Sequence, residues 1–353
     1  MSQLPIAPFT EQSALAQAAY SQLLDSSLPI EHFRTVADLS GAFSSKTVKG
    51  RVYWYYQYSE PSGKLRQIYV GPDTDAVKQL VNGKVTQPVT ASLRPMARSA
   101  LALGCADVLP RHFQVIRRLA DYGFFHAGGI LVETHAFLAY ANMLGVRWGQ
   151  AAQTQDIDFA HSDKRVSLVL PPEFDVHVHD AFESLSMGLL PVSSLTSVAG
   201  ASYLNPKEPD FRLDFLTVCH RGGEEPYVHP KLHITLQPLK FMEFSLENVQ
   251  QAVLISTAGS VLVNVPHPAR FALHNLIVYG EREGTFAAKA NKDLAQAASL
   301  LLALKQHRAW EVDEAWDDLC SRAKGWTSRV ARGVKALDRA VPQLEVAGWL
   351  KMP

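Results

Sequence analysis

Cysteine is nearly absent from this chain. Its 353 residues include three, Cys105, Cys219 and Cys320, too few and too scattered for a disulfide framework or a zinc knuckle. A reducing, cytoplasmic setting is therefore expected. Long apolar runs are also missing: no stretch approaches the roughly 20 residues that span a bilayer, and the longest candidate, residues 295–304, reads as part of a buried amphipathic helix. Residues 1–20 lack the basic segment and apolar core of an export signal. Membrane insertion is not expected. Charge of one sign is not in excess either, because 34 basic and 34 acidic residues cancel. That excludes a global pull on nucleic acid and leaves only local patches to consider. No internal repeat and no low-complexity segment interrupts the chain.

What is present is dominated by the triplet Asp156-Ile157-Asp158. Carboxylates at i and i+2 on a strand point to the same face, so both can grip one divalent cation or two closely spaced ones. Asp214, in Arg212-Leu213-Asp214-Phe215-Leu216, is a lone acid in an apolar strand. Burying a carboxylate without a partner is costly, so Asp214 requires a metal or a basic partner. An all-oxygen donor set of this kind suits Mg²⁺, or Mn²⁺ in its place, and Mg²⁺ usually completes its octahedron with water and substrate phosphates. A phosphate substrate is expected.

Phe124-Phe125-His126-Ala127-Gly128-Gly129 reads as a short apolar strand ending in glycines, and residues 130–146 carry apolar side chains at helical spacing. A strand-to-helix junction without side chains would let backbone N–H groups and the helix N-terminus approach an anion. In their order, these elements resemble the nucleotidyltransferase fold of the polymerase β superfamily: Gly-Gly at a helix start, then Asp-x-Asp on a strand, then one more acidic strand residue. Within it, Gly128-Gly129-Ile130-Leu131-Val132-Glu133-Thr134-His135-Ala136-Phe137 and Thr154-Gln155-Asp156-Ile157-Asp158-Phe159 are similar to a bacterial group related to abortive-infection and toxin-type enzymes. Pro266-His267-Pro268-Ala269-Arg270-Phe271-Ala272-Leu273-His274, then Lys289 and Lys292-Asp293-Leu294, resemble the helical segment that follows their catalytic domain.

The resemblance implies a fold, an activity and a set of roles. The fold is an α/β (α+β) chain: residues 1–108 an α/β extension with a β-hairpin, 109–265 a small mixed-sheet catalytic core, and 266–353 a helical bundle. The activity is Mg²⁺-dependent transfer of NMP from an NTP to an acceptor hydroxyl on tRNA, other RNA, a protein or a small molecule, with a toxin-like role and a cognate antitoxin as implied context. Asp156, Asp158 and Asp214 would be catalytic and metal-binding. Gly128, Gly129, Arg147, Lys289, Lys292 and Asp293 would bind nucleotide. The chain departs from its relatives in a longer interval from Gly129 to Asp156, in Glu133 where they carry a small residue, and in Asn275 where many carry lysine. The competing reading is a catalytically degenerate nucleotide- or RNA-binding regulator.

Other features have weaker readings. His177-Val178-His179 invites a metallohydrolase, but residues two apart on a helix do not face each other. The run Val52-Tyr53-Trp54-Tyr55-Tyr56-Gln57-Tyr58, near Lys46, Lys49, Arg51, Lys64 and Arg66, fits a stacking platform for unpaired bases. An ordinary sheet with one buried face is the preferred reading. Arg329, Arg332, Lys335 and Arg339 recur at helical spacing as a basic face, with Glu311, Asp313, Glu314, Asp317 and Asp318 available to neutralise it. Helices are predicted over 10–26, 73–82, 93–103, 111–122, 130–144 and 176–187. Strands are predicted over 51–57, 65–70, 124–126, 157–159, 166–168, 211–218 and 231–236, the first of them after a Ser/Gly-containing stretch at 39–46.

Overall fold

In Ile157-Asp158-Phe159 and in Leu213-Asp214-Phe215, apolar and acidic residues alternate, so a strand at either place buries one face and offers the other. The computed structural model shows both as strands, in a mixed α/β architecture. It describes residues 9–33, 41–48, 50–59, 65–75, 77–78, 81–82, 90–149, 155–162, 176, 178–193, 199–219, 223, 225–281 and 287–351.

The described chain opens with strand β1 (Phe9–Glu11) and helix α1 (Ala14–Phe33), then an antiparallel meander of β2 (Gly41–Val48), β3 (Arg51–Ser59) and β4 (Leu65–Pro72). Helices α2 (Thr90–Leu103) and α3 (Pro110–Asp121) lead to β5 (Gly129–Leu131), α4 (Glu133–Met143), β6 (Val146–Trp148) and β7 (Ile157–His161). Next come α5 (Val178–Ser184), β8 (Leu190–Ser193), β9 (Ala199–Asn205), β10 (Glu208–Val218), β11 (Tyr227–His229), β12 (Ile234–Leu239) and the short helix α6 (Met242–Leu246). A hairpin of β13 (Val249–Ser256) and β14 (Gly259–Pro266) precedes helices α7 (Pro268–Glu281), α8 (Ala287–His307), α9 (Ala309–Cys320), α10 (Lys324–Ala340) and α11 (Val346–Trp349).

The central sheet runs β11-β12-β10-β7-β5, with β9 also on β10 and β8 on β9. Strands β7 and β10 are parallel, with Leu213 opposite Ile157, Asp214 opposite Asp158 and Phe215 opposite Phe159. All four apolar members of this set are fully buried. The Phe159 and Phe215 rings stack at 5.3 Å, and Phe124 meets both edge-on at 5.5 and 6.0 Å. Each such side chain contributes about 1.5–3 kcal/mol on burial, and a one-residue slip would turn the acids into the core. The opposite face carries a smaller cluster of Ile130, Ala160, Leu216, Met242 and Leu246.

Residues 122–128 form turns rather than the predicted strand. Gly123 and Gly128 both take left-handed backbone (φ 82° and 94°), while Phe124 N–H donates to Leu119 O and Gly129 N–H to Phe124 O. The glycine pair therefore stands at the entry to β5, and the helix begins four residues after Gly129, at Glu133. Within the Ser/Gly-containing stretch at 39–46, the described residues belong to a full strand, Gly41–Val48, paired along β3. The strand expected from residue 231 starts at Ile234, because His233 takes a left-handed conformation and the amides of Lys231 and Leu232 donate to His229 Nδ1. The strand expected at 166–168 lies outside the described residues, as do residues 76, 79 and 80 of the helix expected over 73–82, in which residues 75, 77–78 and 81–82 are helical.

The β13–β14 hairpin is apolar on both sides because both sides are covered. Val253, Ile255 and Leu262 pack with Ala16, Tyr20 and Leu23 of α1 and Leu93, Ala97 and Ala100 of α2. Ala252, Leu254, Val261, Val263 and Val265 join the main core. Helices α1 and α2 thus share a core with residues 253–262.

In the helical region, α7 and α10 cross at backbone contact. A Cβ at Gly333 would lie 2.3 Å from Leu276 O, and one at Gly280 would lie 2.1 Å from Arg329 O. Helix propensity alone would make Gly333→Ala stabilising by about 1 kcal/mol, but the carbonyl cannot yield without shifting a helix. We expect Gly333→Ala to lower stability by about 1–3 kcal/mol in urea unfolding; a higher midpoint would contradict the close crossing.

Candidate active site

Three carboxylates gather where β7 and β10 run side by side. Asp158 and Asp214 are register partners, and Asp156 stands two residues before Asp158 at the entry to β7. A fourth acid joins them. Val132 N–H donates to Asp158 O at 3.0 Å, which brings Glu133, the first residue of α4, against Asp158.

The electrostatics follow from this crowding. Burial, then the charges of Glu133, Asp214 and Asp156, hold the Asp158 carboxyl well above the usual carboxylate range, against the pull of Lys292. Burial and then Asp214 push Asp156 up, while Lys289, Arg212 and Lys292 pull it down. Lys289 and Lys292 of α8 therefore belong to the site, the first exposed and the second half-buried. Asp293 does not face it openly: it is buried, at 4% exposure.

Asp214 has a basic partner. Arg212 Nε donates to its Oδ1 at 2.8 Å, Ser202 Oγ donates to the same oxygen, and Arg212 Nη2 donates to Ser202 Oγ at 2.8 Å. Residues 212 and 214 alternate onto one face of β10, a signal legible in the sequence but not used there. The Arg212 side chain is half exposed, so the pair adds little to stability and can exchange.

Does this donor set fit a divalent ion? Among the described residues, no three acidic, histidine or cysteine side chains are already gathered as an ion cage. The chemistry nonetheless fits: the donors are carboxylate oxygens, those of Asp158 and Asp214 on one sheet face, and the burial and then mutual repulsion that lift Asp156 and Asp158 are what a hard cation would offset. For its Oδ1 to join, Asp214 would have to give up Arg212.

The strand-to-helix junction is Val132-Glu133-Thr134, not Gly128-Gly129. Glu133 takes a left-handed backbone, φ 52°, a conformation glycine adopts more readily. Thr134 Oγ1 is buried without a partner, and the next residue, His135, shares a 2.9 Å contact with His112 Nδ1 through its Nε2. Gly129 is dictated by packing, since a Cβ there would fall 2.2 Å from the Phe124 ring. Asn264 Nδ2 clamps the turn by donating to Phe125 O (2.7 Å) and Gly129 O (2.9 Å), and His161 Nε2 meets Ala127 O at 2.8 Å. The glycines thus serve the turn that aims β5 and, beyond it, α4.

Arg147 does not join the site. Its guanidinium donates to Gly104 O at 3.1 and 2.9 Å, and it is absent from the charges that act on Asp156 and Asp158. Asn275 is buried on α7 with its Nδ2 unpartnered. His177 lies outside the described residues, and His179 is 3.3 Å from Glu183 on the exposed side of α5.

A family model described as nucleotidyltransferase matches residues 111–321, more than half of the chain, and spans the turn, both acidic strands and α8. This chain belongs to that nucleotidyltransferase family. Among solved structures, it is similar to an antigenic nucleotidyltransferase-like protein from Paracoccidioides brasiliensis, at 12% identity and a TM-score of 0.34 over 70% of this chain and 95% of that one. No protein of curated function matches it.

Crowded acids cost this nucleotidyltransferase stability. Asp158 binds its proton more tightly folded than unfolded, so the penalty is absent below the unfolded carboxylate pKa of about 4, grows as pH rises through the gap, and is complete above the folded value. Asp158→Asn should therefore raise the melting temperature at pH 7, with the gain fading toward pH 4. Equal gains at pH 4 and pH 7 would contradict the assigned cause.

Proposed function

We propose that this nucleotidyltransferase transfers NMP from an NTP to an acceptor hydroxyl, with Mg²⁺, or Mn²⁺ in its place, held by Asp156, Asp158 and Asp214. The observation that carries the reading is the pairing of Asp214 with Asp158 across parallel strands, two residues from Asp156 and under the charges of Lys289 and Lys292. When bound, the ion offsets carboxylate repulsion and polarises phosphoryl oxygens.

The chain's own groups do the rest. Lys289 and Lys292, three apart on α8, present two ammonium groups to the triphosphate. The first-turn N–H groups of α4 stand ready for a phosphate oxygen. Asp214 Oδ1, once released from Arg212, takes up the acceptor's proton. The acceptor oxygen then bonds to the α-phosphorus as the bond to pyrophosphate breaks. An RNA 3′ end, including that of tRNA, is the first acceptor to test, and modification of tRNA would make the enzyme toxin-like and call for an antitoxin.

A second reading, a regulator that binds nucleotide without turnover, is favoured by one observation. Glu133 places a carboxylate and a left-handed non-glycine backbone at the helix start that would meet the phosphates.

Incubation with each α-labelled NTP, Mg²⁺ and total RNA separates the two. Labelled product is expected, and Asp156→Ala or Asp158→Ala should abolish it without lowering the melting temperature; product at wild-type level in either variant rejects the assignment. Glu133→Gly removes both strain and charge, so it should lower the KM for NTP several-fold. Tight NTP binding with no product under any condition would establish the regulator instead.

A further inference from the structure

The meander β2–β4 is a sheet of its own, and its strands contain no aspartate or glutamate in a chain whose acids and bases are equal in number overall. Alternation sorts its aromatic run into two faces. On one face Tyr56 is fully buried and meets Phe43 edge-on at 5.0 Å. That much is the ordinary half-buried sheet.

The other face is built differently. Tyr53 and Tyr55 remain half-buried, with Lys46 and Ser44 directly opposite them on β2. Lys46, itself exposed, lies 5.0 Å from the Tyr55 ring centre and donates to Gln67 Oε1 at 2.6 Å; Gln67 Nε2 donates to Ser44 Oγ at 3.2 Å. Arg51, also exposed, continues the same face along β3. Two phenol rings, two cations and polar amides share one surface without a carboxylate among the strands' own residues.

Residues two apart on a strand are about 6.8 Å apart, roughly twice the 3.4 Å rise of a stacked nucleic-acid strand. Tyr53 and Tyr55 can each carry one base only if the bases are unstacked from one another. A duplex offers no such bases, whereas a single strand offers both base faces and phosphates.

We propose that this face binds single-stranded nucleic acid, with bases on Tyr53 and Tyr55 and phosphates on Lys46 and Arg51. It deepens the reading of the active site by making the acceptor a polynucleotide, and because binding is measured without turnover, either idea can fail alone.

The test is fluorescence anisotropy of the full chain with a labelled U-rich RNA of about 12 nucleotides, within the range that single-strand binding folds cover. DNA of the same sequence, an RNA duplex, inorganic polyphosphate and poly-glutamate serve as the other arms. We expect the single strands to bind, Tyr53→Ala/Tyr55→Ala to weaken them by about ten-fold or more, and Tyr55→Phe to leave them within about two-fold, since the ring suffices for stacking. Lys46→Ala should reduce the slope of log affinity against log salt by about one. Duplex or polyphosphate binding as tightly as single strands, or poly-glutamate competing as well as RNA, overturns the proposal. So does unchanged binding in the tyrosine double variant. Should that variant fail to fold, Lys46→Glu/Arg51→Glu, at exposed positions, must weaken binding by at least about ten-fold, and unchanged binding there overturns the proposal equally.

Discussion

The stacking of Phe159 on Phe215 is the contact on which the site depends. It fixes β7 against β10 to the residue, and strand alternation then leaves Asp158 and Asp214 no choice of face. Aromatic burial on one side of the sheet thus holds acids together on the other. The repulsion among them is small beside the burial of the surrounding core, which explains how a fold can tolerate a cluster that weakens it.

The same logic extends outward from the sheet. Val132 ties α4 to Asp158 through backbone, and Asn264 ties the preceding turn to the β13–β14 hairpin. Helix α6 covers the face next to the acids with Met242 and Leu246. Arg270 and Arg322, each paired with both Glu247 and Asp318, pack against Phe244 of α6 and bind it to the helical region. Arg329, by contrast, pairs with Glu281 over Phe241. It is structural, which leaves Lys324, Arg332, Lys335 and Arg339 as the exposed cations of α10.

The acidic strands were legible because alternation is a local signal: Ile157-Asp158-Phe159 and Leu213-Asp214-Phe215 state their own faces. The helices after residue 266 were legible for the same reason, at the other period. What escaped was set by distant partners. Phe124 reads as strand but is drawn into the core by Phe159 and Phe215, and the glycines follow it into a turn. Gly41–Val48 has little apolar content of its own and becomes a strand by pairing with β3. Arg147 carried the charge a phosphate needs, yet only the fold reveals that Gly104 holds it. Burial cost demands a partner for Asp214, and the two-residue spacing to Arg212 is where the sequence already offers a basic one.

The hairpin covered on both sides bears on how the chain is made. Helices α1 and α2 lie within the first 103 residues, but the wall they pack on is β13–β14, more than 140 residues further along. During synthesis α1 and α2 leave the ribosome before the hairpin that completes their shared cluster, a long-range pairing of the kind that folds slowly. That packing must wait for residue 266, so helices made early are among the last to find their place.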